Sequence, residues 1–326
     1  MRKFILPSVI IIISVFTFSL IAGNGAISTR EALRVLGGGG SDIQRMIVFN
    51  IRLPRLIATA FTGAALAVSG YLLQNNLDNL IAAPGLLGIN HGAGVFVLIS
   101  AIIFPHQNDI KCVMAFVGAL SVTLLVYIMT VATGMAKSSV ILSGVAVTAV
   151  CSAITDMLIS YWPEAVADKV AFSIGGFSSV PADIVWFAAC VIALSLAVAV
   201  FAAPSLDIMA LGDETASGLG LNVLLYRTVH IVCAALLAGA AVSMCGLIGF
   251  VGLMVPNVIR LLYSGNSRSN IVLNIIAGAA FLTACDTIAR LPAYPYELPC
   301  GLILSIIGAP FLIRILFKRR KRLGIE

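Results

Sequence analysis

Residues 184–203 run for twenty positions without one charged side chain. Nine further stretches are apolar over comparable lengths with few or no charges: 5–22, 56–75, 86–104, 112–135, 139–161, 227–245, 247–263, 271–291 and 298–317. A helix crossing a bilayer core needs about 20 consecutive apolar residues. In lipid the backbone must satisfy its own polar groups, so a spanning chain is helical or a closed barrel. These runs are continuous rather than alternating, which selects helices. Composition agrees, with 60% hydrophobic residues and only 10% charged, against about 25% charged in soluble domains. The chain therefore reads as an all-α, polytopic membrane protein with about ten transmembrane helices. The longest stretches between runs, 23–55, 162–183 and 204–226, are too short to bury a core of their own. Residues 1–326 form one membrane domain.

Charge sets the orientation. Lys318-Arg319-Arg320-Lys321-Arg322 follows the last run directly and marks a cytoplasmic end. This block, next to a span, explains the net charge of +6 without a nucleic-acid partner. Ten spans place both termini on that side, in agreement with Arg2-Lys3. The first run is longer than the apolar core of a secretory signal, about 7–15 residues, and reads as a retained helix. Arg2, Lys3, Lys137, Arg227, Arg260, Arg268, Arg314 and the basic tail then lie inside. Arg30, Arg34, Arg45, Arg52, Arg55, Lys111, Lys169 and Arg290 lie outside. The first outer loop, 24–55, carries five of the outer arginines and alone departs from the positive-inside bias. Arg52 and Arg55 bracket Pro54 at the lip of the second run, either as interfacial anchors or as groups reserved for an outside partner.

Catalytic chemistry has no foothold. His91, His106 and His230 fall in or beside different runs, and the seven cysteines form no CxxC pair. Gly134-Met-Ala-Lys137-Ser138 lacks the glycine before lysine that a phosphate loop requires. No catalytic residue, metal ligand or nucleotide-bound cofactor is expected in this chain. Asp156, inside the fifth span, is a candidate for proton coupling or a packing group. Asp286 and Arg290, spaced i,i+4, share a helix face and can form an ion pair. Gly246, Gly249 and Gly252, with Gly88 and Gly92, allow close helix approach. Pro84 and Pro256 interrupt helical hydrogen bonding. The cytoplasmic loop 206–221 contains Leu211, Gly212, Asp213, Glu214, Leu219 and Gly220. It reads as a solvated loop with a short helix or as a docking helix for a soluble partner.

Several stretches together resemble the permease subunits of type II ATP-binding-cassette importers, the FecCD family, which move iron–siderophore complexes, haem and cobalamin. They are Ile51-Arg-Leu-Pro-Arg55, Thr62-Gly-Ala-Ala-Leu-Ala-Val-Ser-Gly70, Ala83-Pro-Gly-Leu-Leu-Gly88 with Gly92-Ala-Gly94, and Ala210-Leu-Gly-Asp-Glu214 with Leu219-Gly220. Gly246-Leu-Ile-Gly-Phe-Val-Gly-Leu253, Asp286-Thr-Ile-Ala-Arg290, Glu297-Leu-Pro299 and Gly308-Ala-Pro310 complete the series. The resemblance implies ten helices, a dimer with a second permease copy or a paralogue, two ATPase subunits that bind the ATP and Mg, and an extracytoplasmic binding protein. It assigns 206–221 to ATPase coupling and Arg52, Arg55 and Arg290 to docking of the binding protein. It places Gly88, Gly92, Gly246, Gly249, Gly252 and Pro256 in helix packing and the pathway, and the fifth span with 162–176 beside the path. Two departures stand out. Asn79-Leu80 replaces an Asn-Pro, and Asn257 follows Pro256 where the family has histidine.

The resulting expectation is a permease of the bacterial cytoplasmic membrane, passing an iron complex under ATP hydrolysis by its partners. A cobalamin importer of the same family is the alternative. From another class, a proton-coupled secondary transporter would use Asp156 and Asp286.

Overall fold

The computed structural model describes residues 2–21, 27–105, 107–132, 137–165, 170, 172–178, 180–291 and 297–322. His106, Lys169 and most of the Gly134–Lys137 stretch lie outside the described residues. Among those described, every one of the ten apolar runs forms a helix, and no strand interrupts them. These are α1 (Arg2–Ile21), α4 (Leu53–Asn76), α5 (Ile89–Ile103), α6 (Asn108–Ala132), α7 (Lys137–Tyr161), α8 (Ala182–Met209), α10 (Val223–Cys245), α11 (Val251–Leu262), α12 (Ser267–Arg290) and α13 (Cys300–Arg322). Six helices are long and apolar enough to cross a membrane, and four shorter apolar helices accompany them.

Three short helices remain: α2 (Thr29–Leu36), α3 (Asp42–Met46) and α9 (Asp213–Gly218). The first outer loop is therefore largely helical. Ser28 and Ser41 each close a capping box, with Glu31 and Gln44 reaching back to the cap backbone. Reciprocal caps of this kind satisfy two orphan amides at once. The interaction with Ser28 holds the exposed Glu31 carboxyl below the usual carboxylate range. A π-helical turn, Ile47–Arg52, joins α3 to α4, so the helix runs on from Asp42 to Asn76. Arg52 and Arg55 thus sit within a helix rather than in a loop.

α4 is the central post, with 89% of its apolar window buried, against 28% for the window in α7. Small residues make this possible. Gly63 faces Gly278 of α12, and Gly70 faces Gly252 of α11, so closely that a Cβ on either Gly63 or Gly70 would enter the neighbour's carbonyl. Ser69 Oγ donates to Ala234 O on α10 at 2.6 Å. Gly92 meets Gly118 O in the α5–α6 contact. Gly249 has open space around it, so the three glycines of that motif do not share one packing role.

α11 continues through Pro256 without a break. Proline removes the amide that would have bonded to the carbonyl four residues earlier, here Gly252 O. Gln74 Nε2 of α4 donates to that carbonyl at 3.1 Å, and Gly70 leaves room for the approach. Asn257 Nδ2 donates to Leu253 O at 2.7 Å and to Leu80 O at 3.0 Å. The break between α10 and α11 falls instead at Gly246 and Phe250, both with positive φ. A Cβ at Gly246 would also clash with Phe172 O.

Candidate functional site

The two ends of α4 carry different chemistry. Its 24 residues span about 36 Å at 1.5 Å per residue.

At the N-terminal end, antiparallel packing of α4 on α12 sets a register. Gly63 meets Gly278, and one turn outward Thr59 Oγ1 lies 3.1 Å from Thr283 Oγ1. One further turn brings Arg55 to Asp286. Arg55 donates from Nε and Nη2 to the two Asp286 oxygens at 3.1 and 2.9 Å, and from Nη1 to Glu297 Oε2 at 2.6 Å. Arg290 Nε lies 3.2 Å from Asp286 Oδ2, the i,i+4 pair anticipated from spacing. Arg290 Nη2 also donates to Ser19 Oγ of α1 at 2.8 Å. Arg52 Nη1 donates to Leu20 O and Ile21 O at 2.9 and 3.0 Å. It thereby satisfies carbonyls that the end of α1 leaves without intrahelical partners.

The fold brings Arg52, Arg55 and Arg290 to one region, as the docking assignment requires, but turns them inward. Arg52 is 6% and Arg290 5% exposed, and Asp286 is 1% exposed. Neither Arg52 nor Arg290 is an anchor reaching to water. Glu297 is the most accessible carboxylate of the network, with 36% of its side chain exposed against 13% for Arg55. The exposed arginines of the first outer segment are Arg30, Arg34 and Arg45. A cavity of about 350 Å³ opens beside Arg55 and Glu297, lined also by Phe172, Gly175 and Val242. Cys112, Cys245 and Cys300 face it as well. Among the described residues no group of histidine, cysteine or acid side chains could hold a metal ion.

At the other end, α8 stops at Met209 and the chain turns through Gly212, at φ 101°, into α9. Gly220, at φ 85°, turns it back toward α10. Both angles lie in the region that only glycine adopts freely. Two contacts fix the loop. Arg227 of α10 donates from Nη2 to Asp213 Oδ1 and Oδ2 at 2.8 and 2.9 Å. Asp207 accepts from Ser267 N at 2.9 Å and Ser267 Oγ at 2.7 Å. Ala216 is fully buried beneath α9, while Leu211 and Leu219 stand 62% and 65% exposed, with Glu214 exposed between them. Asn76 Nδ2 at the foot of α4 donates to Arg227 O at 3.1 Å. The short helix is thus tied to α10, and through it to α4.

Asp156 lies on an exposed face of α7. Asp286 is held by two arginines, which leaves it no spare lone-pair direction for a coupling proton. The Arg55–Asp286 and Arg227–Asp213 pairings were not foreseen from sequence. Glu297 was legible only as part of a motif.

Comparison with known proteins fits this arrangement. The computed fold superimposes on a metal-chelate type ABC transporter solved in an inward-facing conformation, with a TM-score of 0.84 and 22% identity over 97% of this chain and 99% of that one. The Fe(3+)-citrate import system permease protein YfmD of Bacillus subtilis is 33% identical over 95% of this chain and 94% of its own. The vitamin B12 import system permease protein BtuC of Klebsiella pneumoniae is 31% identical over 98% of this chain and 95% of its own. The model of the FecCD transport family matches residues 10–318. The chain belongs to the FecCD transport family and is a permease of an ABC importer in the cytoplasmic membrane.

Proposed function

We propose that this permease passes an iron complex, received from an extracytoplasmic binding protein at the Arg55 end, and is driven by ATPase subunits seated at the α9 end. The observation that carries this reading is the pairing of two poles on one rigid post. An arginine–carboxylate network lies at the head of α4, and an exposed apolar loop, tied to α10 by Asp213–Arg227, lies at its foot. Leu211 and Leu219 offer two exposed apolar side chains beside a salt-bridged helix, which suits a shallow groove on a soluble partner. The Asp213–Arg227 pair ties that helix to α10, which packs along α4. Motion of the partner then reaches the spans as displacement of α10. A second permease, identical or paralogous, completes the path. The match to a permease named for Fe(3+)-citrate over 95% of this chain favours iron. The match to a vitamin B12 permease over 98% of it keeps cobalamin as the competing cargo.

Reconstitution with the neighbouring ATPase in nanodiscs tests the reading. ATP hydrolysis should rise with the binding protein loaded with a ferric chelate and stay basal when cobalamin is supplied instead. Stimulation by cobalamin alone would transfer the assignment to that cargo. Uptake by the chain without ATPase would remove the ATP-driven mechanism.

A further inference from the structure

Arg55 meets two carboxylates of different standing. Asp286 is 1% exposed and takes the Nε and Nη2 edge of the guanidinium, which fixes the plane of the fork. Glu297 takes only Nη1, at 2.6 Å, from a side chain that is 36% exposed. Glu297 comes from the segment just before α13, whereas Asp286 is locked inside α12. The cavity of about 350 Å³ beside the pair is lined by both Arg55 and Glu297. One contact of Arg55 is therefore built into the helix packing, and the other can be exchanged without unpacking a helix.

We propose that Glu297 is a displaceable internal carboxylate: it holds Arg55 Nη1 in the free permease, and an acidic side chain of the docking binding protein takes that place in the complex. This rests on the docking reading above. A guanidinium 13% exposed is largely desolvated, and such a charge is costly without a counter-charge. Glu297 supplies one while no partner is present. Exchange of one carboxylate for another keeps the charge count of the site constant, so docking gains little net electrostatic energy through Arg55. A delivery protein that must leave after handing over its cargo needs such modest affinity. Glu297, once released, goes to water from a position already at the surface.

A group that must vacate before docking lowers the apparent affinity by the fraction of competent molecules. Removing its charge should raise that fraction and therefore the association rate. The Arg55–Glu297 pair is partly exposed, and pairs of this kind correspond to about a two- to fivefold change in an equilibrium constant.

The test uses the permease–ATPase complex in nanodiscs and the loaded binding protein encoded beside it, with association followed by biolayer interferometry. Glu297→Gln should raise the association rate constant about two- to fivefold. Glu297→Asp, which keeps the charge, should stay close to wild type. Arg55→Gln should abolish most of the association, and Glu297→Gln added to it should restore nothing. Unchanged or slower association with Glu297→Gln, in a variant that melts like wild type, overturns the exchange. So does equal acceleration in the Arg55→Gln background, which would mark a general effect of surface charge. Full docking by Arg55→Gln would instead overturn the docking reading, and the exchange with it.

Discussion

Asp286→Asn is the most informative single perturbation of the outer network. Asp286 accepts two hydrogen bonds from Arg55, at 2.9 and 3.1 Å, and lies 3.2 Å from Arg290 Nε, with its own side chain 2% exposed. Asparagine matches its volume but removes the charge and turns an amide N–H₂ toward two guanidinium groups that can only donate. Loss of one partner from a buried ion pair costs about 3–5 kcal/mol, because the survivor stays desolvated. Here two survivors remain, but each keeps other partners: Glu297 for Arg55, and Ser19 with Thr287 for Arg290. The lower end, about 3 kcal/mol, is therefore expected. For a chain of this size that corresponds to a melting shift of roughly 5–10 °C. The assay is retention of the monodisperse size-exclusion peak of purified permease after heating. Glu297→Gln provides the scale, since a half-exposed pair contributes at most about 1 kcal/mol. Arg55→Met combined with Asp286→Asn should recover part of the loss, because both members of one pair are then gone. Melting of Asp286→Asn within 2 °C of wild type, on the same roughly calibrated scale, would refute the buried-network argument. An equal loss in Glu297→Gln would refute the ranking of the two carboxylates.

Three further outcomes follow from the packing and the lower pole. Gly70→Ala forces a Cβ into Gly252 O and should cost at least about 1–3 kcal/mol by the same heating assay; Gly249→Ala, with nothing within 4 Å, should be near neutral. Gln74→Leu orphans the carbonyl that Pro256 frees and should cost about 1–3 kcal/mol, whereas Pro256→Ala in that background should recover stability by restoring the helical amide. Asp213→Asn should leave the permease assembled with its ATPase, checked by co-purification, yet reduce binding-protein-stimulated ATP hydrolysis severalfold by freeing α9 from Arg227; stimulation at the wild-type level would show that the tether is not part of the coupling.

How much of this was written in the sequence depends on the range of the interaction concerned. Apolar run length is local, and each of the ten runs became a helix within a few residues of its expected ends. The Asp286–Arg290 pair is local too, one turn apart on α12, and it forms. The helices α2 and α3 went unread although their signal is also local: Ser28 and Ser41 each stand three residues before Glu31 and Gln44. A reading organised around spans treated the intervening segment as loop. Arg55 with Asp286, 231 positions apart in the chain, was beyond such reading. Nothing in either segment names the other, and only the glycine-set register of α4 against α12 brings them together. The same holds for Gln74 and Gly252, where the proline was legible but the donor that compensates it was not.

The charge census illustrates the limit most sharply. Counting arginines by loop located a true anomaly, the excess of positive charge in the first outer segment. It could not say which of those charges face outward. Arg52 closes the end of α1, and Arg55 closes on Asp286 and Glu297, while Arg30, Arg34 and Arg45 stay exposed on α2 and α3. A positively charged loop is therefore two things at once. One half is a set of free surface charges that attract an acidic partner through water, where screening falls off over about 8–10 Å. The other half is a buried network whose arginines already have counter-ions. Long-range attraction and final contact are thus carried by different residues. Raising the salt should slow association through the first set, and changing Glu297 should alter the last step through the second. If Arg30→Gln, Arg34→Gln and Arg45→Gln together removed the salt dependence of association while Arg55→Gln left it intact and abolished the stable complex, the division would stand. Identical effects from both sets would return all of the arginines to a single undifferentiated docking surface.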